Sequence, residues 1–137
     1  MEEARGSYGM TTEALQLFAL ASRRNEWLTA RQATISTNIA NANSPGYRAV
    51  DVQPFSDILE KMDVAVATTK PGHMSTGSFA TQASTARASS GADVTVSGNS
   101  VNIEDEMVKA GAVNRDFALN TNIVKAFHKM LLTSMKA

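Results

Sequence analysis

Few residues in this 137-residue chain have the type and setting to do chemistry. His73 lies in "KPGHMSTG", among small residues, with no carboxylate or hydroxyl that a rigid element would aim at it. His128 falls on a helical seam, where a packed or half-exposed structural histidine is the expected role rather than a general base. Neither a His-x-x-x-His nor a His-Glu-x-x-His spacing occurs, so the histidines offer no metal pair. Glu104-Asp105-Glu106 resembles a cation site only in one dimension. Successive helical residues point in different directions, and acidic residues belong in a helix's first turn. "KPGHMSTGS" lacks both the spacing and the strand-to-helix setting of a phosphate cradle. Arg23, Arg24 and Arg31 form a small basic face near Trp27. With 13 basic against 13 acidic residues there is no net field to recruit nucleic acid, and that face reads as solvated or as an ion-pairing surface between chains. Met107, Met130 and Met135 sit at helical spacing and read as packing. The absence of cysteine removes disulfides, thiolate metal sites and thiol nucleophiles. The expectation is no catalytic residue, no cofactor, no metal site, no nucleic acid and no small-molecule substrate.

The elements that position these residues are mostly helical. From about Thr12 to Ala42 the apolar residues Leu17, Ala21, Leu28, Ile35 and Ile39 mark one face, interrupted by Arg24 and Gln32. Thr11 or Thr12 can cap the start with Glu13 in the first turn, and Pro45 ends the helix. Thirty residues make a helix of about 45 Å. A second helix is expected from about Ile103 to Met135. Asn102 would be its N-cap, Asp105 its capping-box partner, and Lys125, Lys129 and Lys136 lie toward the end. Its stripe reads Ile103, Met107, Ala110, Asn114, Phe117, Thr121, Val124, His128, Leu131, Met135, a heptad pattern that asks for a helical partner.

Between the helices the chain changes character. From Ala65 to Ala92, 20 of 28 residues are Ala, Ser, Thr or Gly, too little apolar surface to offset the entropy of ordering. Val94 and Val96 alternate enough for one short strand. Before this tract, "YRAVDVQPFSDILEKM" suits an extended arm followed by a short helix.

The organisation expected is a flexible N-terminus over 1–11, a helix over 12–42, a turn and arm over 43–61, a weakly ordered connector over 62–100 and a helix over 101–137. The fold class is mainly α. Two long helices pair as an antiparallel, coiled-coil-like hairpin, with Leu17, Leu28, Ile35 and Ile39 against Met107, Phe117, Val124 and Leu131. No stretch nears the ~18 consecutive apolar residues of a membrane span. "ALQLFALAS" carries an Ala-x-Ala imitation of a cleavage site. Three glutamates against one arginine precede it, so a cleaved export signal is not expected.

One stretch resists a purely local account. In "NIANANSPGYR" three asparagines, Asn38, Asn41 and Asn43, crowd a helix end before Ser44-Pro45-Gly46-Tyr47. Asn43 suits a left-handed or Asx-turn residue, and Pro45 with Gly46 suits a type II turn. Asn38 and Asn41 lie inside the helix on the face beside Ile35 and Ile39. There an amide can bond a returning loop or a neighbouring chain, and a grip at a subunit contact is the role expected.

Ile35 to Arg48, "ISTNIANANSPGYR", resembles the N-terminal signature of bacterial flagellar rod and hook proteins. "GNSVNIEDEMVKAGAVNRDF", Gly98 to Phe117, is similar to the segment that opens their C-terminal helix. Within that family the short length and "PGYRAVDVQPF" resemble a proximal rod subunit. The alternative within the family is a FlgC-like sister subunit, which usually has a longer break in the Pro-Gly-Tyr region and a proline-rich middle, neither of which stands in this sequence. Ser44 stands where threonine is commoner, and Pro54 precedes Phe55. The resemblance implies a structural subunit of the hollow basal-body rod, assembling helically with itself and other rod subunits in the periplasm. It implies contact with the adaptor FliE, the inner-membrane ring and the flagellar export gate, and export through the flagellar type III apparatus, a route that suits a cysteine-free chain. Subunit contacts are then expected at Asn38, Ile39, Asn41, Asn43, Ser44, Pro45, Gly46, Tyr47 and Arg48. The rival of another class is a helical adaptor or secretion chaperone that does not polymerise.

Overall fold

The computed structural model describes residues 3–66, 85–86 and 95–136, with side-chain surroundings for 14–60 and 95–135. The element order is α1 (Glu3–Ala40), β1 (Asp51–Val52), α2 (Phe55–Val66), β2 (Thr85–Ala86) and α3 (Ile103–Lys136). The protein is mainly α, with a long helix at each end. None of the described helices is long and apolar enough to cross a membrane. His73 and Val94 lie outside the described residues, as does most of the small-residue tract.

Several boundaries differ from those the sequence suggests. Helix α1 begins at Glu3, not Thr12, so Thr11 and Thr12 are interior rather than capping. "EARGSYGMT" contains no proline, and its two glycines, Gly6 and Gly9, weaken a helix by about 1 kcal/mol each without ending it. Once nucleated, each further residue adds a backbone hydrogen bond, and that gain outweighs a threonine's preference for a cap. The helix ends at Ala40, two residues early. The arm after the turn contains β1 and runs into α2, which continues to Val66. The strand seen in the connector is Thr85–Ala86, antiparallel to β1 with Asp51 opposite Ala86 and Val52 opposite Thr85. Val96, expected in a strand, is fully exposed in a turn.

The chain divides into two compact units, Met1–Thr29 with Gly111–Ala137, and Ala30–Ala110. In the first unit the α1 and α3 segments run antiparallel. Phe18 meets Phe127 edge to face at 5.7 Å between ring centroids. The Asn120 amide donates to Ala21 O at 2.9 Å and Asn25 Oδ1 at 2.6 Å. Arg24 pairs with Asp116 at 2.9 Å while its guanidinium lies 4.6 Å from the Trp27 ring centroid. Ala14, Ala21 and Leu28, spaced by seven, are buried together with Trp27 and Val113. Leu17, Val124 and Leu131 are half-buried, whereas Phe117 is 45% exposed.

On α3 within this unit the inward row is Val113, Asn120 and Phe127, one residue before the expected Asn114, Thr121 and His128. One residue turns a helix by about 100°. Apolar periodicity gives Asn120 no weight, but its two hydrogen bonds to α1 do, and they fix the rotation.

The second unit buries Ile35 and Val52, and with them Asn38, Asn99, Ser100 and Glu106. Here Glu106 takes the inward place and Met107, expected to pair with α1, is 61% exposed. Asn102 caps α3, its Oδ1 accepting the N–H groups of Glu104 (3.0 Å) and Asp105 (3.4 Å).

Candidate functional site: an asparagine-clamped corner

The corner begins where α1 runs out of backbone partners. A helix leaves its last four carbonyls unsatisfied. Here the final turn tightens, with Ala42 N–H donating to Ile39 O and Ser44 N–H to Asn41 O. Ser44-Pro45-Gly46-Tyr47 then closes a turn in which Tyr47 N–H donates to Ser44 O and Gly46 takes φ +71°, as a type II turn requires at its third position. Gly46 and Gly98 are the residues with positive φ among those described, so Asn43 is not left-handed.

The exposed carbonyls are collected by one residue from the far side of the sequence. Asn99 is 2% exposed, and its amide donates to Asn41 O (2.9 Å), Ala42 O (2.9 Å) and Ser44 O (2.7 Å). Its Oδ1 accepts Val101 N–H at 2.7 Å. The side chain acts as a cap supplied in trans to the C-terminus of α1. A turn over Thr95 to Gly98 presents it, closed by Gly98 N–H to Thr95 O and by Thr95 N–H to Asn99 O. Backbone zipping continues from there. Gly46 N–H donates to Ser97 O, Ser100 N–H to Tyr47 O and Ala49 N–H to Ser100 Oγ. The two glycines lie against each other; a Cβ on Gly98 would sit 3.5 Å from Gly46 Cα.

Asn38 works one turn further back. It is 1% exposed, and its amide donates to Val50 O (2.7 Å) and Glu106 Oε2 (3.1 Å). Its Oδ1 accepts Val50 N–H (3.1 Å) and the Tyr47 hydroxyl (3.3 Å). All four hydrogen-bonding positions of the amide are filled, two of them by a single residue, so Asn38 gives Val50 the pairing a neighbouring strand would give. Glu106 accepts from Lys109 at 2.7 Å, and Lys109 lies 3.9 Å from Asp51. Asp51 receives both Nε and a terminal nitrogen of Arg31 at 3.2 Å. The chain of charges ties α1, β1 and the start of α3 into one polar network, each buried member satisfied by the next.

This accounts for the signature residues one by one. Asn38 is turned into its own chain, where of the two partners an amide at that place could take, a returning loop or a neighbouring chain, the returning arm satisfies it. Asn41 is turned on its own chain as well, donating to Thr37 O and accepting from Ser44 Oγ. Ile39, Ser44 and Tyr47 are half-buried, while Asn43, Pro45, Gly46 and Arg48 are exposed. Sequence reasoning missed Asn99, Ser100, Glu106, Asp51 and Arg31 as members of the site. Asn99 and Ser100 stand in the quoted "GNSVNIEDEM", but polar loop residues carry no periodicity. By residue type Glu106 is indistinguishable from its acidic neighbours; the hint that it differs is Lys109, three residues on.

A long helix ending in this corner, with a second helix starting beside it, defines a class. Residues 18–48 match the family described as Flagella basal body rod protein, a span that covers the end of α1 and the whole signature turn. The similarity reaches beyond that turn. The chain is 38% identical over 128 residues to the flagellar basal body rod protein FlgB of Agrobacterium fabrum (strain C58 / ATCC 33970), covering 90% of this chain and 96% of that protein. The chain belongs to the flagellar basal body rod protein family, whose members are structural components of the basal body.

Proposed function

We propose that this chain is the proximal subunit of the flagellar rod, built by helical assembly with copies of itself and with other rod subunits. The observation that carries the reading is the similarity to FlgB across nearly the whole chain, corner and α3 included. On this reading it leaves the cell through the flagellar type III apparatus without a cleaved signal. It assembles in the periplasm beside the inner-membrane ring, the export gate and the adaptor FliE, and it does its work without catalysis. The corner supports a division of labour. Asn38, Asn41 and Asn99 hold the shape from inside, and Asn43, Pro45, Arg48 and Val96, all exposed, meet adjacent subunits.

The test is fractionation of basal bodies from a flagellated strain, with neighbours of the chain identified by cross-linking. Co-purification with the rod, and cross-links to FliE or to other rod proteins, are expected. A chain found wholly outside basal bodies, in a small soluble complex, would sink the reading. Arg48→Glu tests the outward face of the corner: swimming should be lost while the exported protein keeps its helical content.

A further inference from the structure

The boundary between the two compact units crosses α1 after Thr29 and α3 after Ala110. Each helix is weak there, for its own reason. On α1, Leu28 and Ile35 are buried, and no residue from Thr29 to Thr34 is. The places three and four residues after Leu28, which would continue the apolar face, hold Arg31 and Gln32. Gln32 Oε1 is buried and meets no donor among the described residues, which leaves a desolvated acceptor inside the stretch. Four hydroxyls also turn back on the helix. Thr29, Thr34, Ser36 and Thr37 donate to the carbonyls of Asn25, Ala30, Gln32 and Ala33 at 2.9 to 3.0 Å. Each carbonyl also serves the helical ladder, and a hydroxyl that shares it weakens the ladder and favours a bend. Such bonds occur nowhere else among the described side chains of α1.

On α3 the boundary falls in Ala110-Gly111-Ala112, and no residue between Glu106 and Val113 is buried. Neither usual reason for a glycine applies at Gly111. It does not take a positive φ. Outside the helix's own backbone a Cβ there would meet Arg115 Nη1 alone, at 3.6 Å, an ordinary contact with the end of a long side chain. An alanine would fit and would be the better helix former. What the glycine supplies is a helix that bends more readily at that residue. We propose that the boundary is a joint, at which α1 bends over Thr29–Thr37 and α3 at Gly111 while each unit keeps its own packing. Both soft points are needed, because two paired helices bend only where both yield. The joint lets one chain settle against unlike neighbours, its own copies and other rod subunits. That use rests on the rod reading; the joint itself does not.

The chain has no cysteine, so introduced pairs carry spin labels without background. In the purified full chain, Ser22→Cys with Ala40→Cys spans the joint. Asn114→Cys with Leu132→Cys spans an equal length of α3 inside one unit, and all four sites are exposed. A straight helix holds either pair about 27 Å apart. The distance distribution across the joint should be about twofold broader than the control, with its extra weight at shorter distances. Thr29→Ala, Ser36→Ala and Thr37→Ala combined with Gly111→Ala should narrow it to the width of the control. Gly111→Ala alone should raise the melting temperature by about 3 °C. Equal widths for the two pairs, or a width that the four substitutions leave unchanged, would overturn the joint. A lowered melting temperature would also overturn it, because packing would then require the glycine. In a flagellated strain the stiffened chain should slow swimming, and normal swimming by a chain whose distribution has narrowed would overturn the use of the joint. If the unaltered chain is absent from basal bodies the rod reading falls, and the distance measurement still decides the joint.

Discussion

The two units draw on the same pair of helices and are held by different physics. Between Ala14 and Thr29, and from Gly111 onward, the buried side chains are Ala14, Ala21, Trp27, Leu28 and Val113, with one aromatic contact and a few polar clasps. In the Ala30–Ala110 unit lie all four of the buried polar or charged residues among those described: Asn38, Asn99, Ser100 and Glu106. Apolar contacts are non-directional and tolerate a shift of a fraction of a turn. A buried amide with every position filled tolerates none, because each lost partner leaves a desolvated group behind. The comparison teaches where this protein keeps its precision. The corner has one geometry, and the helix pair beyond it is a looser surface that still exposes Leu119, Ile123 and Met130.

Substitutions can break that contrast. Asn99→Asp has the largest expected effect, since it keeps the shape but turns the carboxylate oxygens toward three carbonyls, at a cost on the order of 4 kcal/mol. Hydrogen exchange should show protection lost over 41–50 and 97–101 and retained at Phe18 and Phe127. Uniform loss over both units would refute the separation. Leu28→Ala removes a side chain with no exposed surface and should lower stability by about 3 kcal/mol in urea denaturation. Its exchange pattern should be the mirror image, with the Val50 amide still protected. Gly46→Val should cost about 2 kcal/mol through backbone strain alone, because a Cβ there meets nothing within 4 Å. Asn, which tolerates a left-handed backbone, should restore most of that loss at the same position, and equal destabilisation by the two would argue for a hidden contact. The smallest change is expected from Arg24→Ala, whose partly exposed ion pair and ring contact are worth about 1 kcal/mol together.

Much of this was legible before any coordinates. Two long helices, the type II turn at Pro45 and Gly46, the Asn102 cap and the arm leading to a short helix all follow from local rules, and the structure places each of them. The rotation of α3 was not legible. Met107 outranks Glu106 on any hydrophobic scale, yet Glu106 faces inward because Asn38 and Lys109 are there to receive it. Nor was the direction of the asparagines. Asn38 and Asn41 were recognisable as out of place in a helix, but whether an amide points to its own arm or to another chain depends on where Val50 returns.

By itself the sequence determined the two long helices, the turn between them and the arm, and the family. Helix periodicity, proline and glycine placement and the "NIANANSPGYR" signature are properties of short stretches, and short stretches suffice to specify them. Only the tertiary structure decided what the signature holds. Asn99 lies 55 to 58 residues from the carbonyls it caps, and Glu106 lies 68 from Asn38. Hydrogen bonds reach about 3 Å and depend on angle, so a partner that distant in sequence leaves no periodic trace of itself until the chain has folded.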